Sequence, residues 1–370
     1  MRPCERLSPV HRWLRGAGMA LSALLVAGGV LGWQSQARSA QAAESALAAS
    51  SASSAASSAV SSAVSSAASA ATAATPASAP AAEVVDLDWQ DDSRQRPVPV
   101  RLYWPAQAQA GQAVPLVLFS HGIGGSRRGY SYLGAYWASQ GVAALHVQHV
   151  GSDRGLWSGN LLQLVGRLQG AAKEDEALNR VQDVRFALDQ LLASRYGPQI
   201  RRDAILAAGH SYGANTTLLL AGARVEREGR VLALAEPRLR AAIVISAPPF
   251  YGEAEPQRIL AGVRVPTLHI TATDDVIRIP GYYSPASDRL QVFEATGGPA
   301  KALAVFQGGS HSIFTDRSGT GGVALNPQVK AATRELTMAF VREVLDGDRR
   351  ELEAWPQRHA ALLNRFQPAP

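Results

Sequence analysis

Cysteine is almost missing from this 370-residue sequence: Cys4 is the only one. One cysteine cannot close an internal disulfide or build a thiolate metal site. A chain of this size needs neither as a staple, because its core is large enough. A long apolar run is also lacking. The stretch 16–33 is uncharged, but it is rich in Gly and Ala and shorter than most membrane-spanning helices. Arg2, Arg6, Arg12 and Arg15 precede it, and the small-residue segment Ala37-Arg38-Ser39-Ala40-Gln41-Ala42 follows. That order is what a secretory signal peptide requires. We therefore expect 1–42 to be a signal peptide cleaved near Ala42, and the protein to be exported, either periplasmic or extracellular. Membrane contact is expected only through an uncleaved signal. Cys4 lies before the apolar run, outside a lipid-attachment position.

A lasting excess of positive charge is the third absence. The formal net charge of +6 includes five arginines and one glutamate within 1–42, so the mature chain keeps only +2. The basic balance is thus a property of the signal, and no nucleic-acid partner is expected.

Residues 43–82 are nearly all Ala and Ser, with Pro76 and Pro80 towards the end. Ser competes with the backbone for hydrogen bonds and no apolar stripe is present. This reads as a low-complexity tether; a repeat expansion without a role fits equally.

From 83 to 370 the composition becomes that of one globular domain. Segments 83–89 and 98–104 read as a strand pair joined by the turn-like 90–97. Short apolar strands at 115–120, 142–147, 204–208, 241–246, 267–271 and 302–306 then alternate with helical patterns at 130–140, 178–194, 212–224 and 328–345. Such alternation predicts an α/β domain with a mostly parallel central sheet, an antiparallel N-terminal edge and helices on both faces. Two segments stand outside it. Segment 155–176, with Trp157, Leu161, Leu162, Leu164, Val165 and Leu168, fits either a lid or an ordinary packed connection. Segment 349–366 reads as a terminal helix packing Trp355, Leu362 and Leu363.

The sharpest chemical signal is Gly209-His210-Ser211-Tyr212-Gly213, between a buried strand and a helix. This is the setting of a nucleophile elbow, in which the serine stands on a tight strand-to-helix turn. Side chains at Gly209 or Gly213 would collide with backbone there, and Ser211 is expected in a strained conformation. A serine hydroxyl needs a base. Of the eight histidines, His11 is in the signal and His210 should point away from the hydroxyl. His121, His146, His149 and His269 read as structural, and His359 lies in the tail. His311, in Gly308-Gly309-Ser310-His311 directly after a strand, is the candidate. The orienting carboxylate falls in Thr273-Asp274-Asp275-Val276-Ile277. Asp275 is favoured, from its spacing before Val276-Ile277 and Pro280, with Asp274 as the alternative. The order Ser211, Asp275, His311 is that of α/β-hydrolases. Oxyanion donors are expected from the backbone N–H of Tyr212 and from the loop His121-Gly122-Ile123-Gly124-Gly125, where we assign Ile123.

Phe119-Ser120-His121-Gly122-Ile123-Gly124-Gly125-Ser126-Arg127, with the elbow, resembles platelet-activating-factor acetylhydrolase and the bacterial proteins described as predicted dienelactone hydrolases. Ala138-Ser139-Gln140-Gly141-Val142 and His149-Val150-Gly151-Ser152-Asp153 extend the resemblance across most of 83–348. It implies an α/β-hydrolase that cleaves carboxylic esters without a cofactor or metal, with Ser211, His311, an aspartate at 274 or 275, and the N–H groups of Ile123 and Tyr212 in the roles given. The chain departs from the pattern at Ser211, where dienelactone hydrolases carry cysteine, and at Ala214, where a second glycine is common. The expected substrate is a small-molecule or lipid-like ester, reached through an acyl-enzyme on Ser211; acyl length and oligomeric state are not readable. Two other functions use the same features: a peptidase or amidase, for which no peptide-sorting domain is evident, and an inactive hydrolase-fold binding protein.

Overall fold

Alternation of side chains along the central strands decides the architecture. Leu116 and Leu118 pack into one apolar cluster, while Val117 and Phe119 pack into another; Ile205 and Ala207 against Leu206 and Ala208 repeat the pattern. Successive side chains leave a strand on opposite faces, so strands apolar at every position must be covered on both. A computed structural model describes residues 82–108, 112–158, 160–227, 229–250, 255–279 and 282–369. The signal expected at 1–42, and all but the last residue of the tether expected at 43–82, lie outside the described residues.

Nine strands form the main sheet: β1 (Glu83–Asp91), β2 (Arg96–Trp104), β3 (Val114–Ser120), β4 (Ala143–Val147), β5 (Ile200–His210), β6 (Leu239–Ile245), β7 (Thr267–Asp274), β8 (Lys301–Ser310) and β9 (Leu363–Gln367). Their spatial order is β1-β2-β4-β3-β5-β6-β7-β8-β9. The six strands from β4 to β8 in that order run parallel, while β1, β2 and β9 are antiparallel to their neighbours. This is the α/β-hydrolase arrangement, with β1 and β2 as the antiparallel N-terminal edge.

Helices cover both faces. On one side α3 (Glu174–Ala193) and α4 (Tyr212–Leu220) bury Val181, Val184, Leu188 and Leu218. On the other, α1 (Ser131–Ser139) and α7 (Leu325–Asp346) bury Leu133, Trp137, Leu336 and Phe340. Each such Leu contributes about 1.5–3 kcal/mol through burial. The remaining helices are α2 (Leu161–Ala171), α5 (Pro256–Leu260), α6 (Ser287–Ala295) and α8 (Arg350–Arg358). Among the described residues no helix is long and apolar enough to cross a membrane.

Three boundaries differ from the sequence reading. α4 stops at Leu220 rather than 224, where Gly222 takes φ 112° and turns the chain. α3 begins at Glu174, so it takes in the end of segment 155–176. The tail is not a single helix: α8 ends at Arg358, and residues 363–367 pair antiparallel with β8 as the last strand. A free sheet edge supplies hydrogen bonds that a continued helix would leave unused. Trp355 is fully buried, and Leu362 and Leu363 are partly buried against the same cluster.

Candidate active site

The parallel strands bring their carboxyl ends to one edge, where ligands of open α/β sheets bind. Four of them carry a candidate residue on the following turn: Ile123 after β3, Ser211 after β5, Asp275 after β7 and His311 after β8.

Ser211 sits between β5 and α4 with φ 56° and ψ −124°. Non-glycine residues seldom adopt this region, and holding one there costs about 1–3 kcal/mol. The surroundings enforce it. A Cβ on Gly209 would run into the carbonyl of Gly213, and a Cβ on Gly213 would run into the carbonyl of Ser120. Both glycines are therefore needed for β5, α4 and the end of β3 to meet.

The Ser211 hydroxyl lies 2.8 Å from His311 Nε2, and His311 Nδ1 lies 2.7 Å from Asp275 Oδ1. A carboxylate only accepts, so Nδ1–H donates to Asp275 and Nε2 is left to accept from Ser211. Asp275 is fully buried, and its other oxygen accepts from the Thr271 hydroxyl at 2.7 Å. Burial alone would raise this carboxyl, but the facing His311 and then Arg289, whose Nε lies 3.4 Å away, outweigh it and hold it below the ordinary carboxylate range. Asp274 is exposed and its carboxylate accepts from the neighbouring Thr273 hydroxyl, so the structure brings Asp275, and not Asp274, to the histidine.

His311 is fixed from behind. Gly308 and Gly309, at φ 69° and 89°, break the register of β8 against β7 and turn the chain towards Ser211. The His311 carbonyl then accepts from His210 Nε2 at 2.9 Å, while Tyr130 donates its hydroxyl proton to His210 Nδ1 at 2.8 Å. Burial pushes His210 down to about 3, which keeps the ring neutral, as one donor and one acceptor nitrogen require.

On the opposite side of the serine lies the glycine loop. The N–H of Ile123 enters no hydrogen bond among the described residues, and Tyr212, first in α4, has no carbonyl one turn back for its own N–H. Gly124 donates to the Ser152 carbonyl at 2.8 Å, and the Trp157 indole caps the Gly124 carbonyl at 3.0 Å.

A cavity of about 310 Å³ opens beside Ser211, lined chiefly by Ile123, Leu168, Tyr212, Pro248, Ile277 and Ile279. Segment 155–176 supplies Leu168 and Gln169 to its wall. Leu156, Leu168 and Ala171 form a small cluster there with Ile123 and Leu164. A second cavity of about 300 Å³ shares Tyr212 and Asn215 with the first.

Several polar residues around the site escaped sequence reasoning. Arg289 is 3% exposed on a helix the apolar pattern did not reveal. Arg180 is fully buried on α3, where charges at helical spacing normally mark a solvated face. No cluster of His, Cys, Asp or Glu that could hold a metal occurs among the described residues.

Among known families, the sequence model for platelet-activating factor acetylhydrolase, isoform II, matches residues 93–156. The matched stretch holds β2, β3, the glycine loop, α1 and β4, and ends before Ser211. No curated protein matches the chain. The family match supports an esterase-type hydrolase, and the nine-stranded, mostly parallel sheet is consistent with the α/β-hydrolase fold.

Proposed function

Starting from a platelet-activating-factor-acetylhydrolase-like α/β-hydrolase, we propose that the chain is an exported serine esterase that works through an acyl-enzyme on Ser211. The observation that carries this reading is the unbroken hydrogen-bonded line from buried Asp275 through His311 to a strained Ser211 at the mouth of an apolar cavity.

The cycle has two halves. Ser211 Oγ attacks the ester carbonyl while its proton passes to His311 Nε2. Negative charge gathers on the carbonyl oxygen, between the N–H groups of Ile123 and Tyr212. Asp275 meanwhile faces the imidazolium. The C–O bond breaks, and His311 returns its proton to the departing alcohol. Water then repeats the sequence on the acyl-enzyme: His311 takes its proton, the acid leaves, and Ser211 regains its hydrogen. Beside its ester group, an apolar arm of the substrate would fit against Ile123 and Leu168. The signal-like order of charge, apolar run and small residues in 1–42 supports a periplasmic or extracellular location; mass spectrometry of the mature amino terminus tests its cleavage near Ala42.

Ser211→Ala tests the reading directly. We expect hydrolysis of p-nitrophenyl acetate to fall about 10⁴-fold or more with the melting temperature retained. A folded variant that keeps the wild-type rate would exclude it.

A further inference from the structure

Arg180 is the most deeply buried cation among the described residues and has no part in the cycle above. It projects from α3 with no exposed surface, and its guanidinium makes four contacts. Nη2 donates to the carbonyl of His121. Nη1 donates to the Ser152 hydroxyl at 2.8 Å, and Nε donates to the Thr216 hydroxyl at 2.9 Å. The plane lies over the Tyr212 ring, 4.5 Å from its centroid.

Three of these four contacts fall on the two segments that carry the free N–H groups, and the fourth, Ser152, follows β4. His121 stands two residues before Ile123, and Ser152 holds Gly124 just after it through its carbonyl. Tyr212 bears the other N–H, and Thr216, one turn on, donates to the Tyr212 carbonyl at 3.2 Å. One rigid fork therefore spans the gap between the glycine loop and the first turn of α4. Burying a guanidinium is costly unless its donors are met. A planar group with divergent N–H bonds on three nitrogens can reach three acceptors that lie apart, whereas the three donors of an ammonium share one nitrogen and cannot span them.

We propose that Arg180 is a positioning residue for the oxyanion site, setting the separation and direction of the Ile123 and Tyr212 N–H groups. It touches no reacting atom and acts through the His121 carbonyl on one side and through Thr216 and the Tyr212 ring on the other. The assignment rests on the reading of Ile123 and Tyr212 as oxyanion donors. A misplaced donor costs stabilisation only where charge has developed, so the loss belongs to the tetrahedral state and not to substrate binding.

The test pairs two probes on the full-length protein. p-Nitrophenyl acetate gives kcat and KM. An alkyl trifluoromethyl ketone, which adds Ser211 Oγ to its carbonyl and leaves an oxyanion, gives an inhibition constant. For Arg180→Lys we expect kcat to fall about 10- to 100-fold, somewhat less than loss of a whole donor. KM should stay within about 2-fold. Ketone affinity should fall by the same factor as kcat/KM. The double variant Ser152→Ala, Thr216→Val frees two of the three fork contacts without removing the charge, and it decides the matter if Arg180→Lys does not fold. There the same parallel loss is expected, about 3- to 10-fold. Unchanged ketone affinity in either folded protein, or a rise in KM at constant kcat, overturns the assignment. A wild-type protein inert towards both probes would remove the reading of the site, and this assignment with it.

Discussion

Among the described residues two Asp–His–Ser arrays can be compared, and they differ in what lies at the serine end. In one, Asp275, His311 and Ser211 are linked at 2.7 and 2.8 Å. In the other, Asp183, His149 and Ser120 are linked at 3.1 and 3.1 Å. Both aspartates are fully buried and both face arginine, Arg289 at 3.4 Å and Arg96 at 2.8 Å. The first array ends on an elbow beside a cavity, and the His311 side chain keeps 17% of its surface. The second is sealed: His149 has no exposed surface, and Ser120 sits at the end of β3 under the carbonyl contact with Gly213. Burial, and then the Arg180 charge, push His149 down to about 3, so it cannot take a proton at neutral pH. Three residue types in hydrogen-bonded order do not make a nucleophile. Access to the cavity and the backbone direction at the serine set the first array apart.

Exchanging the arrays' members sharpens that contrast. The largest effect is expected at the acids. Asp275→Asn should lower kcat about 10³- to 10⁴-fold, since the amide can no longer favour the tautomer that leaves Nε2 to accept. Asp274→Asn should change it less than about 2-fold, as its exposed carboxylate reaches no part of the relay. A large loss in the second variant would reverse the assignment of the acid. Asp183→Ala is expected to act on stability instead. It leaves Arg94, Arg96 and His149 without their shared partner, a cost of about 3–5 kcal/mol in denaturant unfolding. Ser120→Ala should be milder, about 1–3 kcal/mol for an orphaned His149 nitrogen, with kcat within about 3-fold of wild type.

Acid should unfold the protein through the sealed groups. Burial pushes His146, His149, His210 and His269 down to about 3, whereas an unfolded chain titrates these near the ordinary 6.5. The unfolded state binds more protons between those limits, so stability is complete above about pH 6.5 and is lost as pH falls towards 3. Asp86 and Asp183, held down to about 2 against an ordinary 3.8, extend the loss below pH 4. Melting temperature followed from pH 8 to pH 4 checks this. A flat profile would mean that these histidines are not buried in neutral form.

The same contrast explains how much was legible in the sequence. Ser211, Asp275 and His311 each stand on a short turn after an apolar strand, so local pattern and chain order suffice to nominate them. The choice between Asp274 and Asp275 needed the direction of a side chain, which adjacent residues in sequence do not reveal. The buried charges were opaque for another reason. Glu176, Arg180 and Asp183 follow one another at helical spacing, and that pattern ordinarily marks a solvated face. Here Arg94 and Arg96, from the turn after β1 and the start of β2, reach over and pair with Asp183. Only the tertiary packing brings those partners together. The end of the tail is opaque on similar grounds, because residues 363–367 become a strand through pairing with β8, far away in sequence.

Labelling with a fluorophosphonate, followed by peptide mass spectrometry, tests the central claim most directly, because both serines answer in one experiment. We expect a single phosphonyl adduct on the peptide containing Ser211, abolished in His311→Ala, with Ser120 unmodified. An adduct on Ser120, or none on Ser211 in the folded protein, would contradict the account.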